Sequence, residues 1–337
     1  MSATDHQDLP PPPTGPPEPA EPPGSTEPVG PTRPEWLRVA RAAAIGLYLG
    51  ALVAWWATKG IPLDREQIIL WLAAGLVVLS VGSPKGGPWR VLRDWLPVVL
   101  VLILYDLTRG AAEDLLGISA HVRPQLVADQ WLGLGEVPTV RLQAWLYHPG
   151  PVQWWEVPVT LTYISHFFVP FVVAAVFWLR DRERYWQYIR RFVSLSFLAA
   201  ITFVLFPAVP PWLAARTGEL DPLVRTAPRG WSKLNLDVAQ DLVELGQRTA
   251  NVVAAIPSLH AGYTALVAWA LWPSVGRIGR AILATYVMGM AFVLVLTAEH
   301  YLIDILIGWG YVAFVVLLWD RIEARRRSRA TEPLPAT

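Results

Sequence analysis

Near its C-terminal end the chain reads TAEHYLIDILIG over residues 297–308, which sets Glu299, His300 and Asp304 at the mouth of an otherwise apolar segment. His300 and Asp304 are four apart, so on a helix they share one face, a turn from each other, where a carboxylate can hold an imidazole. An ionisable residue at the start of a membrane span is costly unless paired, which makes Asp304 a functional candidate by default. Upstream, residues 251–262 read NVVAAIPSLHAG. Pro257 suits the first turn of a helix, and the N–H groups of Ser258, Leu259 and His260 would then open an anion-binding helix start. Two histidines, one of them buttressed by Asp304, beside a helix N-terminus and several arginines form a set suited to phosphoryl transfer through a histidine. One imidazole attacks phosphorus, the other protonates the leaving oxygen, and the cations stabilise charge on the equatorial oxygens.

The elements that must position this set are membrane helices. Of 337 residues, 53% are hydrophobic and 16% charged, which places the chain among membrane proteins. There is no cysteine, so disulfides, thiolate nucleophiles and cysteine-ligated metal centres are excluded and the redox compartment is unread. Residues 1–34 hold 12 prolines and almost no large apolar side chains, the composition of a disordered, solvated tail. The tail lacks the basic, apolar and small-residue order of a cleavable signal, so targeting is expected to fall to the first span. Apolar segments follow at 38–58, 67–82, 94–108, 158–179, 192–208, 257–273, 281–298 and 301–319, against a requirement of about 20 residues for a span. The second and third are the weakest.

Basic residues cluster in alternate connections: Arg33, Arg38 and Arg41; Lys85, Arg90 and Arg93; Arg180 to Arg191; Arg277 and Arg280; and Arg325 to Arg329. The positive-inside rule makes all of these cytoplasmic. The expected architecture is therefore all-α and polytopic, with about eight transmembrane helices and both termini in the cytoplasm. Its parts are a proline-rich tail (1–34), two N-terminal helices (35–93), a main transmembrane core (94–319) and a basic tail (320–337). His260 and His300 then share the outer face. Two long outer connections, 109–157 and 209–256, carry most of the remaining polar chemistry. The first holds His121, Asp129, Arg141 and His148 among Trp131, Trp145, Trp154 and Trp155, the signature of short amphipathic helices in the interface. The second holds Arg225, Arg229, Lys233 and Arg248 behind a proline-rich stop at 206–212.

Pro257-Ser258-Leu259-His260 and His300-Tyr301-Leu302-Ile303-Asp304 resemble the second and third motifs of the type 2 phosphatidic acid phosphatase superfamily. They look closest to its inositol phosphorylceramide synthase-like and sphingomyelin synthase-like branch. The resemblance covers residues 95–319. It implies a six-helix transmembrane core, no metal, and a phospho-histidine intermediate. Carried over residue by residue, it makes His300 the nucleophile, Asp304 its orienting base, His260 the general acid and Ser258 a phosphate ligand. The superfamily's third motif usually opens with Ser-Arg, but here residues 294–298 read LVLTA, and Leu116 stands where the first motif would place lysine ahead of Arg123-Pro124. The synthase-like branch lacks those cations too. Phosphate-binding cations are then expected from Arg109, three residues after Asp106, and from Arg248; Asp106 and Arg109 read equally well as a local ion pair.

The expected function is that of an integral membrane lipid phosphatase or phosphotransferase, with the lipid chain among the spans and its phosphate at the histidines. The acceptor is water or a soluble or lipid alcohol, and motif spelling leans towards head-group transfer. No cofactor and no nucleic acid is expected, and composition suggests a bacterial plasma membrane with an outward-facing site. Two other classes fit the same residues: a transporter of a phosphorylated solute and a catalytically silent scaffold. Against the transporter, no inverted repeat and no broken helix near the bilayer midplane is legible. A zinc site from His260, His300, Asp304 and Glu299 is chemically allowed but not demanded by the spacing. His121, His148 and His166 read as interfacial polar residues, the arginines at 180–191 and 325–329 as topology determinants, and Gly262, Gly308 and Gly310 as helix-packing positions.

Overall fold

The computed structural model describes residues 35–59, 65–81, 87–108, 116–234 and 251–330. The proline-rich tail, Arg109 and Arg248 lie outside these, as does the side chain of Asp106. The described residues are helical, with no strand and only isolated bridges that join His121 to Ala208 and Ala208 to Ala254. In chain order the helices are α1 (Glu35–Lys59), α2 (Arg65–Ser80), α3 (Gly87–Leu107), α4 (Arg123–Leu132), α5 (Pro138–Leu146), α6 (Glu156–Ser165), α7 (Val169–Arg180), α8 (Arg182–Leu205), α9 (Pro211–Arg216), α10 (Gly230–Lys233), α11 (Leu259–Leu271), α12 (Arg277–Leu296) and α13 (Leu302–Ala330).

Among the described residues, α8, α12 and α13 are long and apolar enough to cross a membrane, and α6 with α7 makes a fourth if that bent pair is one span. Shorter apolar stretches occupy Val39–Trp55 in α1 and Leu70–Ser80 in α2. Every apolar segment of the sequence falls on one of these helices, with two departures. The segment 158–179 is broken between Ser165 and Val169, where α6 and α7 meet at 50°. Pro170 lacks an N–H and disfavours helical geometry in the residue before it, so the helix restarts there. The reading of 158–179 as one continuous helix is thereby corrected.

The second departure lies at the opposite end of the bundle, where α3 and α8 begin earlier than hydropathy suggests because their charges are paired. Asp94, fully buried, takes a two-pronged contact from Arg182 at 2.6 and 3.0 Å and the Trp178 indole N–H at 3.0 Å. Arg191, 1% exposed, is held by Asp320 at 2.5 Å and by Glu323 at 3.0 Å, with Trp269 under its guanidinium at 4.7 Å. Arg182 and Arg191, read from sequence as topology determinants, are structural clamps: Arg182 joins α8 to α3, and Arg191 joins α8 to α13.

Two large apolar cores fill the bundle, with a small third cluster of Ala208, Ala255 and Ile256. One joins α2, α3, α7, α8, α11 and the later part of α13. The other joins α6, α10, α11 and α12 to Ile305 near the start of α13, and lies beneath the two histidines. Helices α11 and α13 approach closely at Gly308, where a Cβ would meet the Ser258 carbonyl oxygen at 2.5 Å. Gly262 has only ordinary contacts and Gly310 faces open space, so the close approach rests on Gly308. Gly308→Ala is expected to cost about 1–3 kcal/mol by overpacking and to lower turnover through displacement of the Ser258 turn; a thermal melt alongside an activity assay checks both.

Candidate active site

The α12–α13 turn gathers several chain segments at one end of the bundle. Helix α12 closes with the N–H groups of Glu299 and His300 both donating to the Leu294 carbonyl at 3.0 and 3.2 Å. Ala298 takes φ +60°, the left-handed conformation where glycine is usual after a helix, which costs a residue with a Cβ about 1–2 kcal/mol. Its carbonyl accepts the Trp212 N–H at 3.1 Å. The turn thus delivers His300 in a constrained backbone.

His300, 6% exposed, places Nδ1 3.4 Å from Asp304 Oδ2, at the long end of hydrogen-bonding range. The same oxygen accepts the Tyr301 N–H at 2.9 Å. That arrangement fixes the ring and leaves Nε2 as the atom able to attack. Asp304 reaches the other motif through its backbone, because its carbonyl accepts the Ser258 N–H at 3.1 Å. Ser258 is fully buried and its Oγ accepts the Ala261 N–H at 3.3 Å, so it is the N-cap of α11. Pro257 precedes that cap and is not in the first turn, and the Ser258 N–H is committed to Asp304. These contacts turn Ser258 into a joint between the motifs, unlike the open phosphate ligand expected from sequence.

His260 stands in the first turn of α11 with its ring centroid 5.5 Å from that of His300. His166, in the α6–α7 break, stacks on it at 3.9 Å and Tyr163 at 5.1 Å, and Phe167 meets it edge-on at 5.8 Å. Its Nε2 is sealed from solvent and has no hydrogen-bond partner among the described residues. A polar ring atom held this way inside an aromatic cage is poised for a group that enters the site. His166 departs from its interfacial reading because the helix break turns it onto His260. His148 is exposed, as expected, whereas His121 stacks on Phe206 at 4.2 Å and its N–H pairs with the Pro207 carbonyl at 2.8 Å.

The described cation nearest this pair is Arg225. It makes a two-pronged contact with Glu299 at 2.6 and 2.8 Å, lies over the Trp212 ring at 4.6 Å, and shares a hydrogen bond with Tyr163. Burial works against its charge, and the Glu299 carboxylate more than offsets this, holding the guanidinium protonated above its usual range. One partner of Arg225 adjoins His300 in sequence and the other stacks on His260. Gln143 on α5 fixes the segment, since its amide donates to the carbonyls of Val224 at 2.7 Å and Leu296 at 2.8 Å and accepts the Val224 N–H at 2.9 Å. Glu299, committed to Arg225, is unsuited to the zinc site weighed from sequence, and among the described residues no cluster of metal-ligand type forms. On the far side of Arg225 a cleft of about 800 Å³ opens between Trp212, Arg216, Leu223, Val224 and Val252.

Residues 126–318, more than half of the chain, match the model of the PAP2 superfamily. The chain belongs to the PAP2 superfamily. It is therefore an integral membrane protein of a superfamily of lipid phosphatases and phosphotransferases. A phosphoinositol dihydroceramide synthase of Bacteroides thetaiotaomicron is 26% identical over 139 residues, which are 40% of this chain and 45% of that protein. The match thus spans less than half of that relative. No solved structure matches. Within this PAP2 superfamily chain, sequence reasoning named His260, His300, Asp304 and Ser258, and the structure brings all four together. It missed Arg225, Tyr163 and His166. Glu299, an acid beside the candidate histidine at an apolar boundary, signalled that some cation must meet it, but not which one.

Proposed function

We propose that the protein transfers a phospho-head-group from a lipid to an alcohol acceptor through a phospho-histidine on His300, with hydrolysis as the minor outcome. The observation that carries this reading is the contact between His260 and His300, 5.5 Å apart at their ring centroids, with His300 on Asp304 and Arg225 beside both. His300 Nε2 attacks phosphorus and the bond to the lipid oxygen breaks, while His260 supplies that oxygen with a proton. The acceptor oxygen then attacks phosphorus, its proton passes to His260, and the P–N bond breaks. Arg225 supplies positive charge that stabilises the phosphoryl oxygens, alongside the cations Arg109 and Arg248, which lie outside the described residues.

A head group attached to phosphorus needs room beyond the reacting phosphorus, and the cleft on the far side of Arg225 offers it. A phosphate monoester would need no such space. The name of the Bacteroides relative makes phosphoinositol the first head group to test and a ceramide-like alcohol the first acceptor. Eight spans with both termini cytoplasmic accommodate every basic cluster, with two helices at 35–93, the catalytic core at 94–319 and the tails outside it. That topology turns the site outward in a bacterial plasma membrane. Trp131, Trp145 and Trp154 are 79%, 72% and 75% exposed around it, as side chains of an interfacial belt would be.

The test is turnover by the full-length protein in detergent. It is offered phosphatidylinositol with dihydroceramide, and separately phosphatidate and a polyprenyl pyrophosphate, with both phosphate release and head-group transfer measured. Transfer well above release is the expected result. Release from the monoesters with no transfer would make the protein a phosphatase. The break between α6 and α7 beside His260 is the one feature that favours the transporter reading, and it predicts solute flux that survives His300→Asn.

A further inference from the structure

Asp129 lies on α4, in the first long connection, 173 residues from the turn it serves. Its side chain is fully buried, and its two carboxylate oxygens accept the N–H groups of Leu302 at 2.9 Å and Ile303 at 2.8 Å. Those are the first two residues of α13, so Asp129 caps that helix from a distance and places a negative charge at the positive end of its dipole. Asp304 is the next residue along. Asp129 therefore fixes the first turn that holds Asp304 against His300, and a second buried carboxylate faces the catalytic one.

We infer that Asp129 is a positioning residue for the His300–Asp304 pair, setting both the angle of Asp304 and the electrostatic field in which His300 gains and loses its proton. The inference rests on the reading of His300 as nucleophile. The charged and titratable groups that act on Asp129 come from α13 and the turn before it, Asp304 and Tyr301. On α5, Arg141 is turned away to Glu136 and the Gly133 carbonyl, and on α4 itself Arg123 is exposed. Burial pushes the Asp129 carboxyl up to about 6; the two N–H donors oppose this and Asp304 adds to it. Asp129 is thus charged when the site works near neutrality and becomes neutral as pH falls through about 6. Loss of a buried negative charge beside the pair disfavours its cationic form.

The test uses full-length wild type, Asp129→Asn and Asp129→Ala, with the pH profile of turnover and the pH dependence of His300 modification by diethyl pyrocarbonate read by mass spectrometry. Both variants should lose about tenfold or more in kcat at neutral pH with little change in KM, Ala more than Asn, as expected for a misplaced catalytic group. Both should also move the acid limb of turnover, and the midpoint of His300 modification, to lower pH by about one unit. A purely structural cap would lower the melting temperature and leave both midpoints in place, which overturns the inference. So would unchanged kcat. The modification midpoint needs no substrate, so if wild type and His300→Ala turn over alike, the function reading has failed while the effect of Asp129 on His300 is still measured.

Discussion

Replacing His300 by Ala is expected to end turnover, with a loss of at least about 10⁴-fold, because the covalent route then lacks the imidazole that Asp304 orients. Nothing in the fold should change much: the ring makes a long contact to Asp304 and an edge contact to His260, and the turn is held by backbone hydrogen bonds to Leu294. A melting temperature close to wild type together with absent turnover is therefore the signature. The matching positive result is an acid-labile phosphoryl adduct on His300 when wild-type protein is quenched during turnover. His260→Ala separates the roles of the two rings. It should lose turnover of ordinary lipid esters and retain a burst with a nitrophenyl ester, whose leaving group needs no proton. A burst that survives His300→Ala would refute the assignment.

Arg225 carries the second large effect. Arg225→Ala removes the cation from the phosphoryl oxygens, an expected loss of about 10²–10³ in kcat/KM. It also takes the guanidinium partner from the buried Glu299 carboxylate, 6% exposed at its side chain, and breaking a buried pair costs about 3–5 kcal/mol. Those consequences are separable. Pairing Arg225→Met with Glu299→Gln removes both charges and should restore most of the stability with no recovery of activity. Arg225→Lys keeps the charge but not the two-pronged fit to Glu299, so intermediate activity is expected. Recovery of turnover in the double variant would show that Arg225 serves the fold alone.

What could be read in the sequence were features with local spacing. His300 and Asp304 sit one helical turn apart, and Ser258 and His260 open α11 beside a proline, so both motifs announce themselves within a few residues. The apolar segments likewise fell on helices. Illegible were the partners that come from far away. Arg225 meets Glu299 across 74 residues and Asp129 meets Leu302 across 173, and nothing in the intervening chain specifies either meeting. The early starts of α3 and α8 had the same cause, since hydropathy counts Arg182 and Arg191 as solvent-seeking when remote carboxylates in fact neutralise them. The break at Pro170 was not read, although its cause, proline and its effect on the preceding residue, is local.

Helix α13 spans 29 residues, about 43 Å at 1.5 Å per residue, and it is fastened at both ends. Asp129 seizes its first turn, and Arg191 grips Asp320 and Glu323 near its other end. It behaves as a strut under two anchors, and the depth of His300 in the bilayer is a property of the whole rod. Facing it is the α6–α7 elbow, bent by 50°, which carries His166 against His260. A bulkier lipid is then expected to be accommodated on the side of the aromatic rings around His260, with His300 held in place by the two anchors of α13.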